Sequence, residues 1–332
     1  MTLKAVAAHL GLASGTVSVV LNDTPAARAI PVKTKERILA AARELGYRPN
    51  FFARSLRSQR TSTVGVIAEE IGDAYGSMVI SGIEAFLRQH EYFFLTVIHR
   101  HDMSLLNRYV DMLMERGVEG FVTVDTNLTQ RLDLPTVSVA GHRKLEGVTN
   151  VVLNHEHAAL IALQHLQQLG HKRIAFLKGN PISSDAEDRW SAICKMTREL
   201  GITMDPDLIL KIEIDDPTPQ LGYPYGKELL ARKKPFTALF AYNDISAIGA
   251  MRAFQEAGIR IPEDVSVVGF DDIREAAHNT PTLTTVHQPL RKMGEIAAQT
   301  LLERLDNPAD DYPREISVEP VLVIRQSTCQ RK

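Results

Sequence analysis

The chain has 332 residues, 44% of them hydrophobic, a formal net charge of −2 and two cysteines, Cys194 and Cys329. No apolar run approaches the roughly 18 residues of a membrane span, and Met1-Thr2-Leu3-Lys4-Ala5 does not open a signal peptide. The two cysteines stand far apart outside any CxxC spacing, which supports neither a disulfide framework nor a cysteine zinc site. Membrane and disulfide-stapled classes are excluded, and a soluble cytoplasmic protein of two or three compact units is expected.

The charge is uneven. Residues 1–63 hold ten Lys and Arg against three acids, a balance of +7, and the remainder holds 28 basic and 37 acidic residues, a balance of −9. A small basic head on a larger acidic body predicts that one end meets a polyanion, although an ordinary basic surface gives the same count.

In chain order, Thr2 is placed to cap a first helix with Leu3, Val6, Ala7 and Leu10 on one face. Gly11 breaks it, and a second helix, Ser14 to Leu21, buries Val17, Val20 and Leu21. Two short helices on a tight glycine turn predict a helix-turn-helix, whose second helix enters the major groove; a plain three-helix bundle fits the same pattern. A third helix, about Thr34 to Leu45, closes the core through Ile38, Ala41, Ala42 and Leu45 before Gly46. After Pro49, with Asn50 as N-cap, the stretch Phe51 to Ser58 predicts a two-turn helix too short to stand alone. Gln59 to Thr63 reads as a polar linker, so this hinge folds only with a partner chain and DNA.

Beyond Thr63, β-branched runs alternate with helical stretches. Strands are expected at Val64–Ala68, Phe93–Ile98, Gly120–Val124, Thr136–Val139, Arg173–Leu177, Ala238–Ala241 and Val265–Gly269, with a strand-like Val321–Arg325 near the end. Helices are expected at Ser77–Gln89, Leu105–Glu115, His157–Leu169, Asp185–Leu200 and Ile245–Ala257. This alternation predicts parallel α/β sheets with ligands at strand C-terminal edges, and about 265 residues predict two lobes rather than one.

The pairs His99/His101 and His155/His157 lack the third and fourth ligands that zinc needs, so solvated or internally satisfied histidines are expected. Asp271 and Asp272, as neighbours, point apart and do not form a catalytic pair. Trp190 reads as lobe core. Nucleophile-elbow, phosphate-loop and dinucleotide signatures are missing. Neither an enzyme nor a resident cofactor or metal is therefore expected.

Together these segments resemble the lactose-repressor (LacI/GalR) family of bacterial regulators. The matching residues are Thr2-Leu3, Val6-Ala7, Gly11, Thr16-Val17-Ser18, Leu21-Asn22, Lys33-Thr34, Glu44 to Asn50 and Ala53 to Leu56. Further matches are Leu169 to Ala175, Asn243-Asp244, Ile261 to Asp272, Leu283 to Val286 and Gln288-Pro289. The resemblance implies a helical head with a hinge helix and a two-lobed, periplasmic-binding-protein-like body of two parallel-sheet subdomains. Its three crossovers would lie near Asn154, Val286 and Ile316. The implied organisation is 1–49 for DNA binding, 50–63 for the hinge and 64–328 for effector binding and dimerisation. The N-lobe would span about 64–154 and 288–314, the C-lobe about 155–286 and 316–328.

The function so implied is that of a homodimeric transcriptional regulator, a repressor, on pseudo-palindromic double-stranded operator DNA, controlled by a sugar or related metabolite. Carried over by position, Thr2, Ser14, Gly15, Thr16, Ser18, Asn22, Asn50, Ala53, Leu56 and Arg57 would meet DNA. Leu56 would wedge a base step. Asp73, Tyr75, Arg189, Asn243 and Asp271 would meet the effector; for Arg189 and Asp271 a structural ion pair is the alternative. Ala13 stands where the family has a capping Ser, a role Ser14 would have to take, and Val19 replaces a common Arg. Gly141-His142 replace Asp-Arg. A transport solute-binding protein shares such lobes but carries a signal peptide, and a sugar enzyme needs an acid/base pair.

Overall fold

The computed structural model describes residues 1–22, 24–47, 55, 60–72, 74–141, 144–180, 183, 185–213 and 218–331. It divides into Met1–Thr61 and Ser62–Lys332. The expected hinge helix, with Asn50, Ala53, Leu56 and Arg57, lies outside the described residues, as does Asp73.

The head contains α1 (Leu3–Leu10), α2 (Ser14–Leu21) and α3 (Val32–Glu44). Thr2 caps α1, its Oγ1 accepting from the Ala5 amide at 3.3 Å, and Gly11 ends it at φ 67°, a left-handed turn suited to glycine. The chain bends by 114° between α1 and α2, within the range of a helix-turn-helix. Val6, Ala7, Val17, Val20, Ile38, Ala41 and Ala42 form the core, with Leu21 and Leu45 at its rim. The segment before α3 is taken up by a 3₁₀ turn, Pro25–Ala29, pinned by buried Ala27. That turn lets α3 begin two residues ahead of the expected Thr34.

The body is two sheets of like topology. The first has strand order β11-β5-β4-β3-β1-β2 and is parallel throughout. Its strands are β1 (Thr63–Ala68), β2 (Phe93–Ile98), β3 (Phe121–Val124), β4 (Thr136–Val139), β5 (Val148–Leu153) and β11 (Glu315–Val318). The second runs β12-β10-β9-β8-β6-β7, from β6 (Ile174–Lys178), β7 (Ile209–Lys211), β8 (Ala238–Phe240), β9 (Ser266–Asp271), β10 (Thr284–His287) and β12 (Val321–Val323), with only β12 antiparallel. Helices cover both faces of such sheets, which is why β1, β3, β4 and β9 are buried at every residue rather than on one face only.

Helices α4 (Ala74–Gln89), α5 (Met103–Glu115) and α11 (Leu290–Asp306) serve the first sheet. Those of the second are α6 (His155–Gln168), α7 (Asp185–Glu199), α8 (Tyr223–Ala231), α9 (Asp244–Glu256) and α10 (Arg274–His278). α4 and α11 touch backbone to backbone: a Cβ on Gly82 would stand 2.0 Å from the Arg291 carbonyl oxygen, and one on Gly294 2.1 Å from that of Val79.

The chain passes between lobes at Asn154, at Gln288-Pro289 and at Glu319-Pro320. The third position corrects the expected crossing near Ile316, and with it the C-lobe segment starting at 316. Ile316 pairs with Val151 inside the first sheet, so the crossing follows β11 rather than interrupting it. The side chain of Glu319 bridges two crossings: it accepts from Asn154 Nδ2 at 2.9 Å and pairs with His157 Nδ1 at 2.6 Å.

Candidate nucleic-acid interface and effector cleft

In the head, Ser14 and Gly15 are exposed and Thr16, Ser18, Val19 and Asn22 half-exposed. The N-cap of α2 is Ala13, which offers no side-chain hydrogen bond. Ser14 does not replace the missing capping serine, because it is already the first helical residue. The open amides leave the positive end of the helix dipole facing solvent. Asn22 folds back, its Nδ2 donating to the Ser18 carbonyl at 2.8 Å and to Ser18 Oγ at 3.2 Å.

The cleft of the body is organised by Arg189, one turn into α7 and 4% exposed. Its guanidinium lies 3.7 Å from the Phe270 ring centroid and 4.8 Å from that of Tyr242. Nη1 donates to the Tyr242 carbonyl at 2.6 Å, and Nη2 stands 3.6 Å from Asp185 Oδ2 and 3.7 Å from Asp271 Oδ1. Burial alone would lower the Arg189 pKa, but Asp271, Tyr242 and Asp185 reverse this and leave it raised. The Tyr75 hydroxyl feels Asp185, Asp125, Asp271 and Arg189; burial first, then the three carboxylates, hold it far above the ordinary phenol value. Tyr75 is therefore a neutral donor.

His155 opens α6 just past the first crossing, with Nε2 3.5 Å from Asp185 Oδ1 and its ring against Phe270. Tyr75 Oη, His155 Nδ1, Arg189 Nε and Gln288 Oε1 are buried without a hydrogen-bond partner among the described residues. Buried polar groups are normally paired, so such atoms mark where another molecule completes the pairing.

Asp271 and Asp272 have φ of 101° and 60°. For non-glycine residues this costs on the order of 1–3 kcal/mol each and persists only where neighbours enforce it. Asp272 is gripped by Arg325 Nη2 at 2.6 Å and His287 Nδ1 at 3.0 Å. Behind the turn, Asp244 is fully buried, its Oδ2 accepting from the Ile273 amide at 2.9 Å and its Oδ1 from the Thr285 hydroxyl at 2.6 Å. Burial, then repulsion from Asp271, pushes the Asp244 carboxyl well above its ordinary range.

Of the expected effector residues, Tyr75, Arg189 and Asp271 converge. Asn243 is occupied: it caps α9, its Oδ1 accepting from the Ser246 amide at 2.9 Å within a capping box. The preceding residue, Tyr242, meets Arg189 instead, and its hydroxyl donates to Ser183 at 2.7 Å. The sequence reading missed Tyr242, Phe270, Asp185 and His155. For His155 the only available signal was its position beside a crossing. The remaining histidines of the two sequence pairs have partners within the fold: His99 with Thr126, His101 with Glu69, and His157 with Glu319. Trp190 packs edge-on to Phe176 in the lobe core. Among the described residues no group of three His, Cys, Asp or Glu is placed to hold a metal, and no single helix is long and apolar enough to cross a membrane.

A model of bacterial regulatory proteins of the lacI family matches residues 2–50, and one of a periplasmic binding protein-like domain matches residues 163–328. The HTH-type transcriptional repressor PurR of Vibrio cholerae is 32% identical over 335 residues, covering 98% of this chain and 97% of the relative. PurR of Haemophilus influenzae is 32% identical over 338 residues, covering 98% of each. The lac repressor dimer bound to operator and the anti-inducer ONPF superposes with a TM-score of 0.88 at 26% identity over 99% of both chains. A CelR–cellobiose complex superposes with a TM-score of 0.72 at 27% identity, over 98% of this chain and 99% of the other. By sequence along nearly its whole length, and by both of its folded units, this chain belongs to the lacI family of bacterial regulatory proteins.

Proposed function

We propose that this transcriptional regulator acts in the cytoplasm as a homodimeric repressor on a pseudo-palindromic operator, released or strengthened by a small metabolite bound between its lobes. Residues 1–49 bind DNA, 50–63 form the hinge and 64–328 bind effector and dimerise. Thr2, Ser14, Gly15, Thr16, Ser18 and Asn22 meet DNA from the head, and Asn50, Ala53, Leu56 and Arg57 from the hinge. The observation that carries the reading is the set of buried, unpartnered polar atoms on Tyr75, His155 and Arg189 around Asp271. Adjacent guanidinium and carboxylate groups beside aromatic rings suit the vicinal hydroxyls and C–H faces of a sugar. Tyr75 comes from the first lobe and Arg189, His155 and Asp271 from the second, so a ligand touching both favours one lobe arrangement. A coupling of about 1–3 kcal/mol then suffices to switch DNA binding. Asp73, two residues before Tyr75 in sequence, and Asn243, through its remaining amide hydrogens, complete the ligand shell.

The test uses the full chain in a mobility shift against genomic fragments at low ionic strength, with a panel of sugars, sugar phosphates and nucleobases. A retained fragment whose binding changes with a compound that also raises the melting temperature supports the reading. Failure to retain any fragment under every condition overturns it.

A further inference from the structure

The second helix of the head, α2, turns one face away from the core of its own unit. With Val17, Val20 and Leu21 directed to the core, the helical period places Gly15 and Val19 on the opposite side, flanked by Thr16 and Ser18. Gly15 is exposed and Val19 half-exposed.

The chemistry of that face is restricted. Ser14–Leu21 contains no charged and no amide side chain. The nearest amide, Asn22, has its nitrogen held by the Ser18 carbonyl and hydroxyl. The two-pronged hydrogen bonds by which Arg or Lys read guanine, and Asn or Gln read adenine, need groups that α2 does not offer. It offers hydroxyls, which pair with any base, and the isopropyl group of Val19. The major-groove complement of an isopropyl group is the C5 methyl of thymine.

Gly15 points the same way independently. A Cβ there would meet nothing within 4 Å, and its φ is not left-handed, so neither packing nor backbone geometry demands glycine. Glycine in a helix nevertheless costs about 1 kcal/mol relative to alanine. A glycine without an internal reason fits a surface against which another molecule's atoms come close.

We propose that α2 specifies its operator by apolar contact. The backbone at Gly15 closes on the edge of the groove, and the Val19 methyls pack on the C5 methyl of one thymine in each half-site. This rests on the operator-binding reading above. A T·A pair at that position is thus selected by shape and methyl contact rather than by base hydrogen bonds.

The full chain is used to select duplexes from a random pool, and binding to the selected duplex is followed by fluorescence anisotropy. Each thymine is replaced in turn by deoxyuridine, which keeps the pairing and removes only the methyl. One thymine per half-site should be sensitive, its replacement raising Kd about fourfold, as for one buried methyl. Val19→Ala should bind the thymine and deoxyuridine duplexes alike. Gly15→Ala should give a head at least as heat-stable as the wild type that binds the selected duplex more weakly. Tolerance of deoxyuridine at every position, unchanged sensitivity in Val19→Ala, or wild-type affinity in Gly15→Ala would each overturn the proposal while leaving operator binding intact. Selection of no sequence at all would remove the operator reading and this proposal together.

Discussion

Arg189, Asp185 and Asp271 depend on one another. A buried cation without its carboxylates, or the carboxylates without their cation, would carry a desolvation cost of several kcal/mol. The guanidinium is also stacked on Phe270, a planar contact that a lysine ammonium cannot reproduce. Tyr75 stands differently, since its hydroxyl is buried but has no hydrogen-bond partner among the described residues. Tyr75→Phe should therefore leave the melting temperature of the free protein unchanged or slightly raised. The same substitution should weaken effector binding by about 1–3 kcal/mol, the loss typical of a buried hydrogen bond to a polar ligand. Calorimetric titration with any compound found active in the mobility shift, paired with thermal melts, checks both signs. Parallel losses in stability and binding would assign the hydroxyl to the fold rather than to the ligand.

The element that aims Asp271 is the turn leaving β9. Its two left-handed residues are held in front by Arg325 and His287 on Asp272, and behind by Asp244 on the Ile273 amide. Asp244 titrates against the fold. Its folded pKa is raised above the unfolded value of about 3.9, so the native state binds more protons than the unfolded chain between the two values. This contribution is fully present below the unfolded pKa and is lost as pH rises through the folded one. Asp244→Asn keeps the shape and, with its oxygen accepting from the Ile273 amide and its nitrogen donating to the Thr285 hydroxyl, both contacts, without a charge to suppress. The variant should gain on the wild type as pH rises through that window, with no such gain in acid; melting curves across pH decide it. A gap between the two proteins that stays constant with pH would refute the raised carboxyl. The β8–α9 junction has its own rule, by which Asn243 caps α9 while Tyr242 faces Arg189. A helix start needs its N-cap amide oxygen turned to the backbone, which leaves the residue before it to enter the cleft.

At the scale of the molecule, two sheets of one topology are joined by three passages, and Glu319 ties the first passage to the third. A lobe movement that keeps this contact turns Asn154 and Glu319 together, coupling the first crossing to the third. The charge separation between the first 63 residues and the rest gives the DNA contact its character. If about 6–10 phosphates are neutralised, operator affinity should fall roughly 10³–10⁵-fold between 50 and 200 mM salt. Anisotropy titrations at several salt concentrations measure the slope, and a flat profile would count against phosphate contacts by the basic head.

Local order fixed much of this protein before any long-range contact was considered. Gly11 ends a helix in a left-handed turn, α2 falls on Ser14–Leu21 as its apolar spacing requires, Thr136–Val139 is a strand because a β-branched run of that length fits a covered parallel sheet, and Phe93–Ile98 forms the partly exposed edge of the same sheet. β5 and the three-residue β7 were not legible, because Asn150 interrupts the apolar run of one and the other is too short to carry a period. The cleft was legible in part: Tyr75, Arg189 and Asp271 are set by position along the family's pattern. Only the fold decided that His155, Asp185, Tyr242 and Phe270 join them, and that the last crossing falls at Glu319-Pro320. Those residues lie on α6, α7, β9 and the β8–α9 junction, and meet only because parallel strands deliver their C-terminal ends to one edge. Sequence periodicity encodes which face of an element is buried, whereas convergence of separate elements is a property of the assembled sheets.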